Sequence, residues 1–308
     1  MISNFLQKII CCPKCQKPLL VNENSLNCLD CQKQYPLINN IPVFENIDFK
    51  KYKLPKNLPA KNPFQYAPHF QLHKKYLLKY LKPQAKDAIL DIGCGMGHYL
   101  DTLSKFSKNL VGLDNDLIPL LYAQKTTRAD YILSKGEKMP FKNNSFDKLI
   151  SFFVLEHIQD DCSAVKEMWR VGKNKAKVLI MVPASEKPRI HSVVKSMHGK
   201  GSAKHFREDY YMKEIKKLLN EAGIRVITAR YTMFLFVEFF TELTRRFYSK
   251  KQKTYERQTD LFRVTKGNLF SLYKIVAPII GRFVLLEDFL FSRSKKGYTL
   301  VIKGEIQK

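Results

Sequence analysis

Apolar positions along the chain recur with two spacings. In YAPHFQLHKKYLLKYLK, residues 66–82, they follow a helical period, and Pro83 ends the run. Residues 88–91, AILD, form a short unbroken apolar stretch that predicts a buried strand. A glycine-rich turn and an amphipathic segment, HYLDTLSKF, come next. NLVGLD at 109–114 predicts a second strand. DYILSKGEKMPFKNNSFDKLISFFVLEHI carries a third strand, a loop and a fourth strand. Residues 208–222 predict a helix with Ile215, Leu218 and Leu219 on one face and Gly223 at its end. Strands at 225–230 and 298–303 complete the pattern. Strand, glycine turn and helix in this order is the arrangement of an α/β fold with a nucleotide site at the strand ends.

The first fifty residues follow a different logic. Five of the seven cysteines lie within the first 31 positions: Cys11, Cys12, Cys15, Cys28 and Cys31. Cys12-Pro-Lys-Cys15 and Cys28-Leu-Asp-Cys31 are two C-x-x-C knuckles twelve residues apart. Each knuckle can place two thiolates on one tetrahedral ion, which is the ligand set of a closed structural zinc site. Cys11 is a spare thiol and leaves the register ambiguous; Cys12 is preferred because it completes C-P-x-C. A disulfide pair and a metal-free ribbon stay open as alternatives. QYPLINNIPVF reads as a strand, a tight Asn-Asn turn and a short apolar segment. The organisation expected is a small domain over 1–45, a Lys-, Asn- and Pro-rich linker over 46–64, and a larger domain over 65–308. The opening MISNFLQKIICCPKC lacks a long apolar run ending in a small-residue cleavage site, so a cytoplasmic, reducing setting is expected. Cys94 and Cys162 read as small packed residues.

The turn after the first strand of the larger domain is D-x-G-x-G-x-G: Asp91, Gly93, Gly95, Gly97. Glycines allow the unusual dihedrals of the turn and let a ligand approach the backbone. Here the acid precedes the glycines. A carboxylate at a strand's end beside such a turn suits a cationic ligand better than a pyrophosphate, and S-adenosylmethionine carries an ammonium and a sulfonium. Asp114 ends the second strand, 17 positions after Gly97, where an acid can accept ribose hydroxyls.

The strings LDIGCGMG, VGLD, GEKMPF, NSFDKLIS and VLEHI, in this order, resemble class I S-adenosylmethionine-dependent methyltransferases, especially those of ubiquinone and menaquinone biosynthesis. EMWRVGKNKAKVLIMVP resembles the next helix and fifth strand of that family. The resemblance covers 86–183. It implies a Rossmann-like sheet, mostly parallel with the last strand antiparallel. It also implies that Asp91, Gly93 and Gly95 line the methionine moiety, that Gly97 lets the helix start close by, and that Asp114 holds the ribose. Asn115 would flank the adenine, Gly136 and Glu137 would contact its edge, and Phe153 would lie under the cofactor. Lys135 departs from the family, standing where an Asp usually accepts the adenine amino group. His157, within VLEHI, is a candidate base for which a packing and hydrogen-bonding role is preferred; His205, in an H-x-R element with Arg207 that the resemblance puts near the substrate mouth, is another, with His191 and His198 beside it in sequence, and a solvated or capping role competes for each. Residues 9–44 similarly resemble the zinc ribbon found as a methyltransferase activator or fused in front of methyltransferase domains.

Charge and the last third of the chain decide what the substrate is expected to be. Lys and Arg number 53 against 28 Asp and Glu, a net charge of +25, which attracts nucleic acid or a membrane surface. Of these cations 41 are Lys and only 12 are Arg, the better phosphate reader. More than sixty residues, about 232–296, intervene before the last strand and predict a helical insertion. Phe234, Phe236, Phe239 and Phe240 stand beside Arg245, Arg246, Lys250, Lys251 and Lys253, a composition suited to a lid over an apolar pocket or to peripheral membrane contact. In NLFSLYKIVAPIIGRFVLLEDFLFSR the charges Lys274, Arg282, Glu287 and Asp288 argue against a spanning helix. The leading expectation is therefore a methyltransferase acting on a small or lipid-like metabolite. An RNA methyltransferase with an N-terminal zinc module is the second, and a non-catalytic cofactor-binding or activator protein the third.

Overall fold

The computed structural model describes residues 2–47, 67–187, 206–234, 236 and 268–308 of the 308-residue chain. Ser3 caps an N-terminal helix, α1 (Asn4–Ile9), its Oγ accepting the Leu6 N–H at 3.0 Å. Four short antiparallel strands follow: β1 (Leu20–Val21), β2 (Ser25–Cys28), β3 (Lys33–Ile38) and β4 (Ile41–Pro42), paired in that order. The β3–β4 turn is the expected Asn-Asn turn, with φ of 49° at Asn39 and 64° at Asn40. Paired left-handed residues of this kind match the twist of a hairpin. The α1 helix had no counterpart among the sequence expectations.

The larger body begins with α2 (Pro68–Leu81), β5 (Ala88–Ile92), α3 (His98–Leu103), β6 (Asn109–Asp114), α4 (Leu117–Thr126) and β7 (Asp130–Leu133). It continues with β8 (Phe146–Phe152), α5 (Asp161–Val171), β9 (Gly172–Pro183), α6 (Met212–Glu221) and β10 (Ile224–Thr232), then α7 (Asn268–Leu290) and β11 (Thr299–Ile306). The seven strands lie in the order β10-β11-β9-β8-β5-β6-β7. Pairs among β5 to β9 are parallel, and β11 runs antiparallel to both β9 and β10. This is the expected mostly parallel sheet with its last strand reversed. The structure shifts three boundaries: the helix expected at 208–222 is confined to 212–221, and the last two strands are longer than their apolar runs.

A parallel sheet must be covered on both faces, which is why β5 is buried at all five positions. One face packs Leu72, Tyr76 and Leu77 of α2, Leu100 of α3 and Leu120 of α4 against Ile89, Leu110 and Ile150. The other packs Val165 and Met168 of α5 and Ile215 of α6 against Leu90, Val111 and Leu149, and this same cluster includes Leu6, Ile10, Cys12 and Leu26 of the N-terminal module. The module is thus not a bead on a string. Cys11 N donates to Pro140 O at 3.0 Å, Lys142 N to Ile9 O at 2.8 Å, and Phe44 N to Leu133 O at 2.9 Å. Arg170 completes the join, bonding Gln16 Oε1 at 3.0 Å and the Phe141 and Met139 carbonyls at 2.6 and 2.8 Å.

Within the stretch expected as a helical insertion, the described residues contain α7, which lies along α2. Phe239, Phe240, Arg245, Arg246, Lys250, Lys251 and Lys253 fall outside the described residues. The anchor of α7 is Asp288, 1% exposed. It accepts from Tyr76 Oη at 2.7 Å, Thr232 Oγ1 at 2.7 Å, Lys75 Nζ at 3.1 Å and Arg230 at 3.2 Å. Removing it would strand two buried hydroxyls and unpair two cations. Asp288→Ala is therefore expected to cost about 2–4 kcal/mol in denaturant unfolding, with Asp288→Asn in between; an unchanged midpoint would show that the network does not anchor the helix.

Candidate functional site at the carboxyl ends of β5, β6 and β8

The site starts from backbone geometry. After β5 the chain turns sharply, with φ of 70°, 49° and 74° at Gly93, Gly95 and Gly97. A Cβ at Gly93 would fall 2.2 Å from Val154 Cγ2, so the turn passes too close to the segment after β8 for any side chain. The turn is tied to the neighbouring strand: Gly93 N and Cys94 N both donate to Leu113 O, at 2.7 and 3.1 Å. Gly95 N donates to Asp114 Oδ2 at 2.7 Å, and Asp116 N to Asp114 Oδ1 at 2.9 Å. Asp114 is thus held by one N–H on each oxygen, with further lone pairs to spare. Burial pushes its carboxyl up to about 6, against the lowering effect of those N–H groups.

Asp91 sits one strand over, 1% exposed, and its Oδ2 has no hydrogen-bond partner among the described residues. Burial, reinforced by the nearby Asp114 charge, holds it well above the usual carboxylate range. A buried carboxylate with an open oxygen is unfavourable unless something donates to it. Asp91 and Asp114 are thus brought together across a glycine turn whose cradle no Cβ fits. A cation with hydroxyl donors nearby is the chemistry that satisfies both, and S-adenosylmethionine has both groups.

The other expected site residues lie around this pair. Asn115 is exposed immediately after β6. Gly136 is buried, its Cα facing Ile158 and Ile92, and Glu137 is half-buried beside it. Lys135 points outward: its Nζ lies 3.8 Å from Glu45 of the N-terminal module, and its N–H donates to the same carboxylate at 3.3 Å. Phe153 follows β8 with φ of 58°. His157 closes a single 3-10 turn, Leu155–His157, half-buried. His191, His198 and His205 lie outside the described residues. Arg207 is engaged with Asp161 at 3.4 Å and Glu214 at 3.2 Å.

Sequence reasoning missed the wall opposite. His69 and His73 lie one helical turn apart on α2, their ring centroids 5.2 Å apart, and His73 faces Tyr99 and the tip of β8. His73 Nδ1 lies 2.8 Å from Tyr99 Oη, and its ring centroid is 5.3 Å from that of Phe153. Phe70 stacks on Tyr99 at 5.9 Å. His69 Nδ1 and His73 Nε2 are buried with no hydrogen-bond partner among the described residues. Burial lowers His69 to about 4, and burial with the His69 charge keeps His73 well below its usual value, so both rings are neutral near pH 7. The i, i+4 spacing in HFQLH was the available signal, hidden because the segment reads as an ordinary amphipathic helix. Glu156 was also passed over in favour of its neighbour His157. It is 1% exposed and raised to about 7 by burial, and its Oε2 has no partner among the described residues.

The second constellation is the cysteine cluster. The Sγ atoms of Cys12, Cys15, Cys28 and Cys31 all lie within 4.8 Å of one another, with Cys15 and Cys28 3.5 Å apart. Four sulfurs about 2.3 Å from one tetrahedral zinc would sit roughly 3.8 Å apart, so the donor set fits that ion. Each knuckle ends in a left-handed residue, Gln16 at φ 61° and Gln32 at φ 54°. Cys11 stands apart from this cluster: its Sγ turns toward Gln16 Oε1 at 3.4 Å, and burial pushes its thiol up to about 11. Burial also works to raise Cys12, but bonds from Tyr35 Oη and from backbone at Cys15 and Lys14 outweigh it and bring that thiol down to about 6.

Residues 90–180, the stretch from β5 to β9, match the family described as "Methyltransferase domain". This stretch is therefore similar to methyltransferase domains. An uncharacterised protein of Methanocaldococcus jannaschii is 42% identical over 92 residues, 29% of this chain and 34% of that protein. A demethylmenaquinone methyltransferase of Roseiflexus sp. is 30% identical over 121 residues, 38% of this chain and 50% of that protein. The chain therefore spans a third to a half of the length of these curated relatives. A crystal structure of a putative methyltransferase from Bacillus halodurans shares the fold, with a TM-score of 0.50 at 17% identity over 76% of this chain and 99% of that one.

The close approach of the glycine turn to Val154 makes that turn the sensitive point. Gly93→Ala adds left-handed strain and a clash with Val154. It is expected to cost about 2–4 kcal/mol in unfolding free energy, while Ala at exposed Asn115 is expected to change stability by less than about 0.5 kcal/mol. Equal midpoints for the two variants would contradict the close approach.

Proposed function

We propose that the protein transfers the methyl group of S-adenosylmethionine to a small or lipid-like metabolite. The observation that carries the reading is the open oxygen of buried Asp91 beside Asp114 at the glycine turn. In this reading Asp91 receives the cofactor's ammonium, Asp114 the ribose hydroxyls, and the backbone of Gly93 and Gly95 lies along the methionine chain. Asn115, Gly136 and Glu137 border the adenine, and Phe153 lies beneath. Bound cofactor supplies a methyl group already activated on a sulfonium. The chain's part is to exclude water and align the acceptor. The neutral His69–His73 wall and Phe153 form an apolar, weakly basic acceptor side, and His73 Nε2 is open to take a proton from an acceptor hydroxyl. His157 and His205 remain candidates for that step. A lipid-like acceptor agrees with this aromatic lining and with the name of the demethylmenaquinone relative.

The four-cysteine cluster is read as a structural zinc site of a ribbon domain over 1–45, ligated by Cys12, Cys15, Cys28 and Cys31. With four thiolates the ion would have no open position and no part in methyl transfer. Because the ribbon shares core packing with α5 and β8, chelation is expected to lower the thermal midpoint of the whole protein and release about one zinc per chain; an unchanged midpoint with no zinc released would overturn the assignment.

Two measurements test the cofactor reading. Calorimetry should show S-adenosylmethionine binding, lost by at least roughly tenfold in Asp91→Asn and in Asp114→Asn. Both carboxyls are raised in the free protein and favoured as anions by the ligand. Affinity is therefore expected to rise with pH through about 6, with protons released on binding. A pH-independent affinity, or binding untouched by both substitutions, would contradict the pocket. Incubation of the intact protein with labelled cofactor and a bacterial lipid extract should label a lipid or small molecule. Label appearing only in RNA would favour the RNA methyltransferase alternative instead.

A further inference from the structure

The outer face of α7 is unlike the rest of the described surface. Ile275, Ile279, Phe283, Leu286 and Leu290 step along it at helical intervals and are 51–67% exposed, with Phe289 beside them at 70%. Together they present several hundred Å² of apolar surface, in or above the range of the largest patch on an ordinary soluble monomer. The helix cannot roll to hide this face. Its opposite side holds buried Ala277 and Val284, and Asp288 is fixed by Tyr76, Thr232, Lys75 and Arg230. Gly281 lies so close to Gln71 of α2 that a Cβ would meet that side chain at 2.6 Å. The apolar stripe is presented on a rigid mount.

Its border is cationic. Arg282 is exposed within the stripe, and Arg293, Lys295 and Lys296 are exposed just beyond its end. The two acids of the helix, Glu287 and Asp288, are 3% and 1% exposed and turned into the protein, where Glu287 accepts from Phe236 N at 2.9 Å. Apolar side chains on one face, cations at the rim and acids withdrawn are the features of a helix that lies in the plane of a lipid interface. No helix among the described residues is long and apolar enough to cross a membrane.

We propose that α7 is an interfacial helix that docks this protein on an anionic lipid surface. The charge pattern selects the occupant. A second copy would set this cationic rim against itself, within a chain of net charge +25, whereas anionic headgroups complement it. The apolar side chains enter the headgroup–acyl boundary to a depth of about 5–10 Å. The mount is α2, whose other side carries His69 and His73, so docking sets the acceptor wall one helix away from the lipid. The inference rests on the exposed face of α7 and stands apart from the methyltransferase reading.

The test is co-sedimentation of the full chain with vesicles. One set is phosphatidylcholine containing one-third phosphatidylglycerol; the other is phosphatidylcholine alone. Strong binding to the anionic vesicles, weakened by salt, is expected. The triple variant Phe283→Asp, Leu286→Asp, Phe289→Asp should lose roughly tenfold or more in partitioning. The variant Arg293→Glu, Lys295→Glu, Lys296→Glu should lose a similar factor on anionic vesicles alone. Both change exposed positions, and calorimetric cofactor affinity in each should match the parent, so a failed cofactor reading is told apart from failed docking. No sedimentation of the parent, equal sedimentation of parent and triple variant, or a dimer that the triple variant dissolves without any vesicle binding would each overturn the proposal.

Discussion

The hydrogen bond from Gly95 N to Asp114 Oδ2, with its companions from Gly93 N and Cys94 N to Leu113 O, fixes the glycine turn to the tip of the next strand. Everything at the site follows from that tie. It holds three left-handed glycines in one conformation and brings Asp114 close enough to buried Asp91 to raise that carboxyl's proton affinity further. It leaves Asp91 Oδ2 without a donor among the described residues. The fold tolerates this arrangement because β5 is central in a parallel sheet, where packing on both faces overdetermines the backbone.

The same logic explains why the N-terminal module is built into the body. Its cysteine knuckles need a fixed hairpin, and a ribbon of this size has little core of its own. Leu6, Ile10, Cys12 and Leu26 find that core against α5 and β8, and Arg170 stitches Gln16 to the 139–143 loop. Phe44 and Glu45 then run beside β7 and reach the loop bearing Lys135.

What could be read in the chain beforehand was what is written locally. AILDIGCGMG spells strand, turn and helix start in consecutive residues, and VGLD carries its acid at the strand's end. The knuckles were legible through spacing, and the C-P-x-C pattern favoured Cys12 over Cys11, in agreement with the cluster of Cys12, Cys15, Cys28 and Cys31. What stayed hidden depends on partners far along the chain. Asp288 looked like a charge that merely interrupts an apolar helix, and its partners Tyr76 and Arg230 lie 212 and 58 positions away. His73 looked like one polar position of an amphipathic helix until Tyr99 and Phe153 closed around it. The apolar run of α7 was visible, but which side of it faces water depended on those distant anchors.

The central claim is that the Asp91–Asp114 cradle receives the ammonium and ribose of a sulfonium nucleoside. A crystal structure of the protein soaked with S-adenosylhomocysteine, which keeps both groups, tests it most directly. The account predicts the ligand's amino nitrogen within hydrogen-bond distance of Asp91 Oδ2 and its ribose hydroxyls on Asp114. Ligand density elsewhere, with Asp91 Oδ2 still lacking a donor, would contradict it.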